Sequence, residues 1–180
     1  MNRVEPTKGI PGIWQVARSI IQSRLDALAR SVNQLEWVMV KKDADETVAS
    51  DSTYSDDADL KFPAAASSKY AFRIVVFFDT SAAADFKYQI QGPASPTLLR
   101  MEVKHIIAGG TAYAGQVVQT AFATSVAVAG GGTTGGFVEV NGILHNGTTA
   151  DEVIFQWAQN TSDASNTTVR AGSYLEWMPL

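Results

Sequence analysis

Few residues in this chain have the type and spacing that chemistry needs. The sequence holds two histidines, His105 and His145, and no cysteine. Without cysteine there is no disulfide scaffold, thiol nucleophile or thiolate metal site. The two histidines are far apart in sequence, and a metal centre needs three or four converging ligands. His105 falls on the inward side of an alternating stretch, which predicts a core or interface histidine. His145 precedes Asn146-Gly147 in a predicted turn. Seven acidic residues crowd the stretch from Asp43 to Asp59. A calcium loop would need a central glycine and a closing glutamate, which "DSTYSDDADLKF" does not supply. A solvated acidic loop is expected there. Asp56, Asp57 and Asp59 are neighbours in one stretch and do not flank a sugar bond as a glycosidase pair must.

The other motifs read the same way. "GGGTTGG" at 130 to 136 is not followed by the Gly-Lys-Ser/Thr of a phosphate loop, so a flexible hairpin loop is expected. No Gly-x-Ser-x-Gly elbow occurs. Asn146, Asn160 and Asn166 each open an Asn-x-Ser/Thr triplet and are read as polar turn residues. Trp14, Trp37, Trp157 and Trp177 could stack on sugars, but their spacing favours packing. No enzyme activity, metal or cofactor is expected from this set.

The elements that carry these residues follow from periodicity. Residues 1 to 13, with Pro6, Gly9, Pro11 and Gly12, predict an extended arm. Segment 14 to 35 predicts the one helix. Trp14, Ile21, Leu28 and Leu35 recur every seven residues, and Leu25 and Val32 fill the offset positions, although Arg18 interrupts them. Such a helix either lies on its own domain or gathers subunits. From Glu36 the period changes to two. "YAFRIVVFFD" sets Tyr70, Phe72, Ile74, Val76 and Phe78 on one face, and Val75 and Phe77 add apolar bulk to the other. A strand apolar on both faces is covered on both faces. Phe86, Tyr88 and Ile90 alternate likewise, as do Leu99, Met101, Val103, His105 and Ile107. With segments 37 to 41, 116 to 128, 137 to 144, 153 to 158 and 173 to 178, about eight strands are expected. They predict a mainly β fold, an antiparallel jelly-roll sandwich over residues 36 to 180, behind an arm and helix at 1 to 35.

Bulk properties agree. The 180 residues are 46% hydrophobic and 18% charged, enough to bury a core. A net charge of −4 gives no electrostatic footprint for nucleic acid or an anionic membrane. "MNRVEPTKGIPGIW" lacks the apolar region of a signal peptide, so synthesis in a cytoplasm without export is expected.

The layout resembles virion structural proteins of tailed bacteriophages. The resemblance is carried by "DADETVASDSTYSDDADLKF", "YAFRIVVFFDTSAAADFKYQIQGP" and "FQWAQNTSDASNTTVRAGSYLEW", spanning roughly residues 43 to 177. It implies a trimeric jelly-roll head, similar in architecture to those of tumour necrosis factor and C1q. The last strand departs from the aromatic-Gly-x-Leu-Leu ending of the C1q-like heads. The resemblance implies a homotrimer in the virion, decorating the capsid as a cement protein or head fibre. Its partners would be further copies of itself and the major capsid protein or another virion protein. The alternative is a receptor-binding head of a tail or fibre that contacts host glycan. The expected attachment residues are Ile10, Ile13, Trp14, Ile21, Leu25 and Leu28. The expected trimer contacts are Val75, Phe77, Tyr174 and Trp177.

Overall fold

The computed structural model describes residues 12–33, 36–107, 115–129 and 132–180. Ile10 and Leu35 lie outside them. The chain divides into a unit ending at Glu36 and a unit from Trp37 to Leu180.

In the first unit, α1 runs from Ile13 to Asn33. Its apolar residues are exposed, among them Trp14, Ile21, Leu25 and Leu28. No described helix is long and apolar enough to cross a membrane.

The second unit is a jelly-roll-like antiparallel β-sandwich of two sheets. The larger sheet runs β1 (Val38–Lys41), β12 (Tyr174–Pro179), β4 (Lys69–Thr80), β9 (Gly132–His145), β6 (Leu98–Ile106) and β7 (Gly115–Gln119), with β11 (Thr167–Val169) joining β2 (Glu46–Val48) to β4. The smaller sheet runs β3 (Ser55–Ala64), β10 (Asp151–Gln159), β5 (Phe86–Gln91) and β8 (Val126–Val128). The predicted inward positions hold. Tyr70, Phe72, Ile74, Val76 and Phe78 from β4 meet Phe86, Tyr88 and Ile90 from β5 in one buried core, closed by Leu99, Met101, Val103, Val138 and Val140. Phe78 stacks on Phe86 with centroids 4.1 Å apart.

Among the described residues twelve strands form where about eight were expected: β2 and β11, of three residues each, are too short to show an alternation, and β3 opens in the acidic stretch. The acidic stretch is no solvated loop: it contains β2 and the start of β3, and Asp57 is fully buried. Segment 116 to 128 divides into β7 and β8, which belong to different sheets. The glycine-rich run is also strand from Gly132 onward, with a register shift opposite Phe78 and Thr80.

The glycines have a packing role there. Gly136 pairs with Phe78 and Gly142 with Phe72 across the β4–β9 ladder. A Cβ on Gly142 would lie 2.1 Å from Phe72 Cζ, and one on Gly136 would lie 2.3 Å from Phe78 Cζ. Each phenyl ring lies over a bare backbone, which lets a large ring fit between the sheets.

Candidate functional site

The residues with chemical potential are dispersed. His105 is buried on β6, its ring over Gly115, and burial holds its imidazole below the ordinary range. At the end of β9, His145 offers its carbonyl to the N–H and hydroxyl of Thr97. Asn146 is a buried turn staple. Its Nδ2 donates to the carbonyls of Ala64, Ala65 and Thr149, and its Oδ1 accepts the Gly147 N–H. Among the described residues no three His, Asp or Glu side chains converge as a metal site.

Two features remain. The first is the outer face of the larger sheet. Alternation places Ala71, Arg73, Val75 and Phe77 there from β4, Phe137, Glu139, Asn141 and Ile143 from β9, and Tyr174 and Glu176 from β12. The apolar members are large and open to solvent: Trp37 is 49% exposed, Met39 57%, Phe77 41%, Val118 66% and Ile143 38%. Between them a groove of about 500 Å³ is lined by Trp37, Ala71, Arg100, Val118 and Ile143. Its central charges are paired within the chain. Arg73 reaches Glu139 at 2.9 Å and Glu176 at 3.8 Å, and lies over the Tyr174 ring. Asn141 Nδ2 donates to Glu139 Oε1. Phe77 and Phe137 lean together with centroids 5.7 Å apart.

Of the four expected trimer contacts, Phe77 and Tyr174 lie on this face. Val75 lies on it too but is already covered by its own chain. Trp177 points the other way and stacks on Phe62 in the core at 5.3 Å. Sequence reasoning missed Trp37, Met39, Val118 and Ile143. The alternation of Trp37 and Met39 was the available signal, but a four-residue edge strand gives too few periods to say which side is covered.

Of the residues expected to make the attachment, Trp14, Ile21, Leu25 and Leu28 are exposed on α1. Ile13 begins that helix, and Ile10 lies outside the described residues.

The second feature is a buried charge cluster. Lys42 follows β1 and is held by two backbone bonds, its N–H to the Ser173 carbonyl and its carbonyl to the Gly172 N–H, both 2.8 Å. Its side chain is 2% exposed. Nζ donates to Glu46 Oε2 at 2.6 Å and to Asp57 Oδ1 at 3.2 Å, with Asp57 Oδ2 at 3.1 Å and Asp59 Oδ2 at 3.5 Å. Burial pulls the amine down, but its bonds to Glu46 and Asp57 outweigh this and hold it above its ordinary range. Asp57 sits where β3 bulges against β10, and its Oδ1 also accepts the N–H groups of Asp59 and Leu60 at 3.1 and 3.0 Å. The pair therefore joins β1, an edge of the larger sheet, to β3, an edge of the smaller one.

No family model matches the chain, and no curated protein matches it. Among solved structures it is similar to that of the Gx strain of infectious bursal disease virus, at 12% identity and a TM-score of 0.22, covering 81% of this chain and 42% of that one. It is similar also to the VP2 subviral particle of the same virus, at 8% identity and a TM-score of 0.21 with the same coverage. The chain thus spans about two-fifths of the length of the capsid chains it matches.

Proposed function

We propose that this chain is a non-enzymatic structural protein of a bacteriophage virion. In this reading it is a homotrimer that decorates the capsid and attaches through its N-terminal segment. The observation that carries the proposal is the outer face of the larger sheet, which leaves Trp37, Met39, Phe77, Val118 and Ile143 open to solvent. Contiguous apolar patches on a soluble chain mark contact surfaces. Arg73, Glu139 and Glu176 on this face already pair with one another, so copies can meet over them without stranding those charges. The helix supports the same reading. Trp14, Ile21 and Leu28 recur at heptad spacing with Leu25 offset between them, the pattern of a helix that associates with copies of itself. Three linked arms then raise avidity for a particle by roughly 10²–10⁴ per added link where geometry allows.

Light scattering on the purified full chain tests the assembly. Three times the 19.3 kDa chain mass is expected. A monomer at micromolar concentration would overturn the trimer. Gold-labelled antibody against the sandwich tests the location. Label over capsid faces is the expected result, label confined to tail tips moves the role to the receptor-binding head, and unlabelled virions end the virion reading.

A further inference from the structure

We infer that Lys42 and Asp57 form an intramolecular amide, a covalent clasp between the two sheets, with Glu46 as the group that moves the proton. The two reactants are held in contact and away from water. Lys42 is 2% exposed and Asp57 is fully buried, with Nζ 3.1 to 3.2 Å from both carboxylate oxygens. Neither partner has freedom to leave. Lys42 is pinned by its backbone bonds to Gly172 and Ser173, and Asp57 by the bulge of β3. Fixing reactants in this way is worth an effective molarity of roughly 10⁵–10⁸ M in favourable cases. A dry site also removes the bulk water that drives the reverse hydrolysis.

The two oxygens of Asp57 are not equivalent, and the difference fits an acyl transfer. Oδ1 accepts two backbone N–H bonds, from Asp59 and Leu60. That is the arrangement that stabilises charge on a tetrahedral intermediate. Oδ2 is buried and accepts no hydrogen bond, although Nζ lies 3.1 Å away. It is the oxygen free to depart.

The reaction balances without any oxidant or co-reactant. One proton passes from the Lys42 ammonium to Oδ2, leaving an amine and a carboxylic acid. Nζ attacks Cγ and the C–N bond forms, while charge gathers on Oδ1 against the two N–H groups. Glu46, 2.6 Å from Nζ, takes the second proton and returns it to the departing hydroxyl. The Cγ–Oδ2 bond breaks and one water leaves. One ammonium and one carboxylate have become one amide, and Glu46 ends as it began.

Mass spectrometry of the purified full chain decides the matter. The intact mass is expected to be lower than that of the sequence by one water. Trypsin should release Lys42–Lys61 as a looped peptide, with no backbone fragments between Lys42 and Asp57. Lys42→Arg is expected to restore the full mass, and Glu46→Gln to slow the loss of water. Full mass in the wild type, with Asp43–Lys61 recovered as a linear peptide, would overturn the inference. So would a loss of water that persists in Lys42→Arg, since that marks an aspartyl succinimide. If Lys42→Arg does not fold, the wild-type peptide map alone still answers.

Discussion

The two sheets share one core but present different outer faces. On the smaller sheet the outward positions are mostly polar, Lys61, Lys87, Gln89, Gln91, Glu152 and Gln156 with Pro63, Ile154 and Ala158 among them, tied by bonds such as Gln89 to Gln156 at 2.6 Å and Lys61 to Glu152 at 3.6 Å. On the larger sheet the outward positions hold large apolar side chains such as Trp37, Met39, Phe77, Val118 and Ile143 beside the Arg73–Glu139–Glu176 network, the Lys104–Glu102 pair and Arg100. An antiparallel sheet needs only one covered face, and a polar outside is then the ordinary result. The smaller sheet follows that rule and the larger one does not. The shared core accounts for the fold, and the extra apolar face is what the proposed assembly would cover.

The largest effect should come from breaking the link that joins the two sheets. Lys42→Met removes the Lys42 link and leaves the Asp57 carboxyl buried without a charged partner. An uncompensated buried charge costs about 3–5 kcal/mol. Urea unfolding is expected to show that loss, and a change within error would mean that water reaches Asp57 freely. Neighbouring residues of β9 then separate the inside of the larger sheet from its outside. Gly142→Val drives a side chain into the Phe72 ring and should cost about 1–3 kcal/mol, as overpacked cores do. Ile143→Asp, one residue on and facing outward, should leave the thermal midpoint of the body nearly unchanged while lowering the mass in solution. Gln89→Asp on the smaller sheet should alter neither. An equal loss of mass from Ile143→Asp and Gln89→Asp would erase the distinction between the two faces.

The smallest effect lies at the surface. Asp45 is held below the usual carboxylate range first by the Ala171 N–H and then by Arg170. A depressed carboxyl stabilises the fold above its unfolded pKa of about 3.9, and that support is lost as pH falls through the folded value. Wild type should therefore melt above Asp45→Asn at neutral pH, and the two should converge in acid. Parallel pH curves would show that Asp45 contributes nothing.

The long strands were legible because they repeat. Five inward positions on β4, and three on β5, state their faces without reference to any neighbour. What was illegible depends on register. Nothing local in Gly142 or Gly136 announces a phenyl ring above it, because the ring comes from β4, far back in the chain. Lys42 and Asp57 are only 15 positions apart, yet between them the chain crosses from one sheet to the other, and seven acids scattered from Asp43 to Asp59 read as solvent-facing charge. The outward apolar face was half legible. Val75 and Phe77 signalled it, but edge residues such as Trp37 and Val118 have too short a pattern to join it. The direction of Trp177 was misjudged because β12 carries large side chains on both sides.

Among the described residues β1 obtains its ladder from β12 alone, through pairs such as Val38 with Trp177 and Val40 with Leu175. In biosynthesis this means that an early segment must wait for a late one. From Lys41 to Tyr174 the delay is on the order of ten seconds at ribosomal speed. During it β4 and β6 can already dock on β9, while β1 has nowhere to go.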